Sequence, residues 1–288
     1  MKLKPFLFLA HRWLGIGMCL LFALWFASGI IMMYVEYPEL TEEERFENLQ
    51  PLNVSQISLS PLEASASITA DSVFSSVKLT TVLSRPAYQF RGVDGAIYIV
   101  FADSGELFTG LNPQSALAAA RQSGFSTSDA TPSYDKQVNM DQWSISSGLN
   151  RYRPLHRITM NDSAGSIIYA STVSGQIVLD TTRNERFWNW LGSTVHWIYP
   201  VQLRKNASLW NQIIVYVSLI GIVSVVTGAI IGFMRIRLSR RAKGANGSSI
   251  SPYKGWMKWH HILGLLTLVF VSTFIFSGLM SMGPWGVF

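Results

Sequence analysis

Three stretches of this chain carry no formal charge over lengths that match a bilayer, and they limit its folding options more than any other feature. They are residues 13–35 (WLGIGMCLLFALWFASGIIMMYV), 206–234 and 259–288. Each exceeds the roughly 20 apolar residues that carry a helix across hydrocarbon. Backbone polar groups in lipid must be satisfied inside the segment, which a helix achieves by itself. The chain is 14% charged and 49% hydrophobic, against about 25% charged for a soluble domain. We therefore read three transmembrane helices, at about 12–35, 209–234 and 259–282. The first apolar run exceeds the roughly 7–15 residues of a signal-peptide core and two more spans follow it, so we read it as an uncleaved anchor.

The charges are segregated. The first twelve residues hold Lys2, Lys4 and Arg12 and no acid. Residues 235–258 hold Arg235, Arg237, Arg240, Arg241, Lys243, Lys254 and Lys258, again without an acid. All 17 acidic residues lie between Glu36 and Glu185. Short basic flanks face the cytoplasm, so residues 1–35 start inside, 36–205 are outside and 235–258 return inside. The net charge of +6 is thus a topology signal, and with no nucleic-acid reader motif we expect no nucleic-acid partner. The single cysteine, Cys19, rules out an intrachain disulfide, and no Cys-x-x-Cys-His occurs for covalent haem attachment.

The outer segment reads as a small α+β domain over 36–185. TEEE after Pro38 is a helix start. Residues 87–109 alternate around Asp94-Gly95 and Ser104-Gly105, and 151–180 alternate around Asp162–Gly165 and Ser174-Gly175, as strand meanders with tight turns. Residues 113–123 form a helix between them. No paired carboxylates, nucleophile signature or metal-spaced cluster stands out there, which leaves binding, docking or support. Residues 186–208, with an aromatic cluster in RFWNWLGSTVHWIYP, read as an interfacial helix. The order is thus helix 1 to residue 35, the outer domain, the interfacial stretch, helix 2 (209–234), the basic loop (235–258) and the third span with its outer end (259–288).

The first and third spans repeat one another. Each reads His-x-x-Leu-Gly (His11 to Gly15, His260 to Gly264), then twelve residues, then Ser-Gly (Ser28-Gly29, Ser277-Gly278), then Met33 or Met282. Both helices run inside to outside, so His11 and His260 lie at matching depth and face each other. Two imidazoles from two helices are what a six-coordinate b-type haem takes. Gly15 and Gly264, one turn deeper on the same face, leave room for a macrocycle or serve close helix packing. Arg12 and Lys258 are candidates to pair with propionates, beside their topological role. His261 lies about 100° round the helix from His260, so only one of them ligates a given iron; the repeat favours His260. His196, in the aromatic stretch, is the candidate ligand of a second haem at the outer face, with Met33 and Met282 as alternatives there. His156, on a strand-like segment, reads as a surface or core residue.

The blocks HRWLGIG…SGIIMMYVEYP, GSIIYASTVSGQIVLDTTRNERFWNWLGSTVHWIYP and GWMKWHHILGLL…FSGLMSMGPW resemble the PepSY-associated transmembrane proteins of bacterial inner membranes. The resemblance covers all three spans and the outer segment from about 150 to 200, and makes 36–185 a PepSY-like domain. It implies haem-binding membrane proteins, some of which reduce iron bound to siderophores, and points to His11, His196, His260 and His261. Larger relatives continue beyond the SGLMSMGPW block into a further span, which bears on the second haem.

The expectation is a haem b-containing inner-membrane electron-transfer protein acting toward a ferric siderophore. Its partners would be membrane lipid, a cytoplasmic or quinol electron donor, the chelate and components of a TonB-dependent uptake system. No FAD or NAD fingerprint follows a strand, so the donor is separate. The alternative is a membrane-anchored outer binding module that regulates a peptidase or assists transporter assembly. A transporter fits less well, since the spans hold no acid and show no sign of a broken helix.

Overall fold

The structure is a computed structural model and describes residues 3–68, 72–236 and 250–286. The basic loop read at 235–258 falls at 237–249 outside the described residues, together with Arg237, Arg240, Arg241 and Lys243. In chain order the helices are α1 (Leu3–Met32), α2 (Glu42–Glu47), α3 (Pro61–Ser65), α4 (Pro113–Gln122), α5 (Arg183–Asn189), α6 (Val201–Arg204), α7 (Ala207–Arg235), α8 (Gly255–Leu266) and α9 (Leu268–Ser281). The strands are β1 (Phe74–Val82), β2 (Arg85–Gly92), β3 (Ile97–Phe101), β4 (Ser133–Val138), β5 (Leu155–Thr159), β6 (Ile167–Ser171) and β7 (Ile177–Thr181). Two units result, one of Met1–Gly29 with Val195–Phe288 and one of Ile30–Thr194.

In the helical unit, α1 and α7 are each long and apolar enough to cross a membrane. The third expected span is not one straight helix. It is α8 and α9, bent by 64°, and they make a third span only if counted together. The bend falls at Thr267, whose Oγ1 donates to Leu263 O at 2.9 Å while its own N–H donates to the same carbonyl at 2.8 Å. Thr227 and Ser28 make the same i−4 bond inside the unbroken α7 and α1, so this hydroxyl marks the bend and does not by itself account for it. The expectation of unbroken spans is corrected at this residue.

Helix α7 packs through a stripe of small residues. Ser218, Gly221, Ser224, Thr227 and Gly232 are all buried. A Cβ on Gly221 would lie 3.4 Å from Phe22 of α1 and 3.5 Å from Ile275 of α9, and one on Gly232 would lie 2.8 Å from Leu265 of α8. Small residues let helices approach in lipid, where no hydrophobic force draws them together.

The other unit is α+β, as expected, with two antiparallel sheets of order β1-β2-β3 and β4-β5-β6-β7. The β1–β2 hairpin turns at Leu83 and Ser84, both at positive φ, which matches the twist that hairpins prefer. On the second sheet α4 buries Ala116 and Ala120 against Ile158, Met160, Ile168 and Ala170. Asn112 caps α4 through Ser115 N, and Thr41 caps α2 through Glu44 N, so both expected helix starts are present. Strands β1 and β4 were not expected. Both are mostly exposed, so their alternation of apolar and polar residues is weak.

The aromatic stretch is likewise not one interfacial helix. It runs as α5, a π-helical turn over Trp190–Thr194 and then α6, with Ile198 at positive φ and Pro200 before α6. The division at Thr194/Val195 splits it between the two units.

Candidate functional site

The five histidines differ in what their ring nitrogens meet, and those partners assign the protons. A backbone carbonyl only accepts, so an imidazole nitrogen facing one carries hydrogen. A helix hydroxyl already donating to its own helix offers only a lone pair to a neighbour. The tautomers below follow from these two rules and not from visible hydrogens.

His11 on α1 places Nδ1 3.1 Å from Ser224 O and 3.3 Å from Thr227 Oγ1 on α7. Thr227 Oγ1 lies 2.9 Å from both Val223 O and Ser224 O, and with Ser224 O taken by His11 its one hydrogen goes to Val223 O. Both partners of Nδ1 are therefore acceptors. Nδ1 carries the proton, and Nε2 keeps a lone pair with no hydrogen-bond partner among the described residues. The ring packs on Gly228 through Cε1, which a Cβ there would approach to 2.7 Å.

His196 repeats this arrangement in the same unit. Its Nδ1 lies 3.1 Å from Trp25 O and 3.2 Å from Ser28 Oγ. Ser28 Oγ donates to Leu24 O at 2.6 Å and to Trp25 O at 3.2 Å. A Cβ on Gly29 would come within 3.3 Å of Cε1. Again Nδ1 is the donor and Nε2 is left with its lone pair. The two seats lie toward opposite ends of α1, roughly 25 Å apart at 1.5 Å per residue between His11 and Ser28.

The other buried histidines are spent. His261 accepts at Nδ1 from Ser251 Oγ and donates from Nε2 to Gly232 O, each at 2.9 Å. Tyr253 stands edge-on to it at 5.5 Å. His156, in the core of the α+β unit, donates from Nε2 to Leu111 O at 2.9 Å and accepts at Nδ1 from Tyr134 OH at 3.2 Å. Neither has a lone pair free for a metal. His260 is exposed and has no hydrogen-bond partner among the described residues. Its ring centroid stands 6.2 Å from that of His11, with the planes inclined by 37°. The structure therefore brings together the two histidines that the repeat singled out, and turns His261 away into the packing of α8 against α7.

The accessory residues fall differently. A Cβ on Gly15 or on Gly264 would meet no atom within 4 Å, so close helix packing does not explain either glycine. The Arg12 guanidinium lies over the Trp13 ring at 5.8 Å. Lys258 is half-buried. Met33 is 77% exposed, and the Met282 carbonyl accepts from Asn211 at 2.9 Å. Ser224, Thr227 and Gly228 were not singled out from the sequence. Their signal was there: SVVTG at 224–228 carries the same hydroxyl–glycine pair as WFASG at 25–29.

Among the described residues no group of three or more His, Cys, Asp or Glu is placed to hold a metal ion. The α+β unit has a cleft lined by Arg45, Lys78, Gln50, Gln122 and Gln176, with no carboxylate in its lining. Asp180, on β7, is pushed up to about 7 by burial and by Glu44 and Glu185.

No curated protein and no solved structure matches this chain. A family model does, over residues 8–287, which takes in the candidate histidines, the α-helical spans and the α+β unit alike. The chain belongs to the family described as the PepSY-associated TM region.

Proposed function

We propose that this membrane protein binds haem b between His11 and His260 and carries electrons across the bacterial inner membrane to a ferric siderophore on the outer side. The observation that carries the reading is the pair itself, with imidazole centroids 6.2 Å apart on two different helices. With a metal–nitrogen bond of about 2 Å on each side, two imidazoles that share one metal have centroids about 6 Å apart. The proton on His11 Nδ1 also suits a ligand, since metal-bound histidines commonly donate their other N–H to a carbonyl. The residues present thus fit the group. Gly15 and Gly264, with no atom near their Cβ positions, leave both helices unobstructed one turn deeper.

Haem iron would supply a one-electron couple. The chain's own residues hold and orient the ligands: Ser224 and Thr227 fix the His11 ring and Gly228 lets it approach α7. One electron from the cytoplasmic or quinol donor would take each ferric ion to ferrous. His196, seated roughly 25 Å along α1, is the ligand we assign to a second, outer haem. The orientation with N-terminus inside and the α+β unit outside rests on the charge segregation.

The visible spectrum of the purified full-length protein tests this. Sharp reduced α and β bands are expected. His11→Ala and His260→Ala should each remove most of the inner haem, His196→Ala the outer one, and His156→Ala neither. A featureless wild-type spectrum, or alanine variants with full low-spin haem, overturns the reading. The cleft with Arg45 and Lys78 favours the second reading, a membrane-anchored binding module. That module would show no haem bands and would saturate with an anionic ligand.

A further inference from the structure

The seats of His11 and His196 share one local code, although they lie on different helices. In each, a carbonyl at position i accepts from Nδ1, a hydroxyl at i+3 accepts from the same nitrogen, and a glycine at i+4 makes room for the ring. The residues are Ser224, Thr227 and Gly228 on α7, and Trp25, Ser28 and Gly29 on α1. Residue i+4 is the one whose N–H already bonds the carbonyl of residue i, so the missing Cβ opens that carbonyl's second lone pair to a side approach. The hydroxyl hydrogen is spent on the helix carbonyl at i−1 in both seats, Val223 O and Leu24 O. The code thus offers two acceptors and no donor.

We propose that Thr227 and Ser28 are positioning residues, each fixing the ring of a histidine whose Nδ1–H the neighbouring carbonyl already sets, so that the Nε2 lone pair is presented for ligation. The proposal rests on the haem reading for its purpose, but the tautomers themselves do not. A third copy of the code supplies an internal control. On α9, Ser277 Oγ donates to Phe274 O at 3.1 Å and Gly278 follows, yet a Cβ there would meet nothing within 4 Å and no histidine of the described residues sits on it.

The test uses full-length protein with nitrogen-15 histidine, prepared haem-free and haem-loaded in the same detergent. Long-range proton–nitrogen spectra of the haem-free protein should show His11 and His196 with hydrogen on Nδ1. Thr227→Val should disturb the His11 signals alone and Ser28→Ala the His196 signals alone. Haem affinity at the matching site should fall about 10–100-fold, the range typical of a lost outer-shell partner. Thr227→Ser should restore both readouts, and Ser277→Ala should change neither. If Thr227→Val does not fold, Gly228→Ala tests the same seat by displacing the ring. Unchanged His11 and His196 signals and unchanged haem affinity in Thr227→Val and Ser28→Ala overturn the proposal while leaving the haem reading intact. A wild-type protein that binds no haem but shows Nδ1–H signals that respond to these variants sinks the haem reading and keeps the positioning.

Discussion

Two histidines side by side in sequence, His260 and His261, do opposite jobs because a helix turns about 100° between them. One is exposed and faces His11; the other is buried with both nitrogens bonded. Removing the second takes its N–H from the buried Gly232 carbonyl, and a buried group left unsatisfied costs about 1–3 kcal/mol. His261→Ala should therefore lower the melting temperature in detergent while haem content per folded protein stays at the wild-type level. Loss of haem with unchanged stability would make His261 the ligand instead. Asp180 gives a second residue-scale prediction. Its folded-state pKa of about 7 lies above the usual value of about 3.9 for the unfolded chain. The unfolded state loses this proton first, so the contribution to stability is largest below about pH 4 and is lost as pH rises to about 7. Asp180→Asn should raise the melting temperature at pH 8 and leave it nearly unchanged at pH 4. An equal gain at both pH values would remove the titration of Asp180 as the cause.

At the scale of elements, α7 organises the helical unit through its small residues. Gly221 faces Phe22 and Ile275 at distances that a methyl group fills without a clash. Gly221→Ala should be neutral or mildly stabilising. Gly221→Leu, with nowhere to place its branch, should destabilise by about 1–3 kcal/mol, as overpacked sites do. Thermal unfolding of the two variants in one detergent checks this, and equal melting temperatures would show that α1 and α9 are not held against this point. The bend between α8 and α9 belongs to the same scale. It falls at Thr267, where there is neither a proline nor a π-bulge, the commoner causes of a kink.

For the whole molecule, the acid-free flanks and the acidic 36–185 segment make an outer α+β unit the topology to test. Ser104→Cys should react with an impermeant thiol reagent added from the outer side. Ser248→Cys, in the basic loop beyond the described residues, should react only after the membrane is opened. These experiments use a background in which Cys19, the chain's one cysteine, is replaced by Ala. Labelling of Ser104→Cys solely from the cytoplasmic side would reverse the topology.

The sequence by itself determined the apolar lengths, the segregation of charge, the α+β character of the 36–185 segment and the pairing of His11 with His260. Each is a local or periodic signal: uninterrupted apolar runs, basic flanks, tight-turn pairs such as Asp94-Gly95, and a repeat with constant spacing. Tertiary structure alone decided which imidazole nitrogens stay available. The partners of His11 lie 213 and 216 residues away and those of His196 lie 171 and 168 residues away, so the hydroxyl–glycine pairs are visible in the sequence but not which histidine each one meets. It also decided the bend at Thr267 and the division of the aromatic stretch at Thr194/Val195. In an apolar run, hydropathy is the same for a straight helix and a broken one.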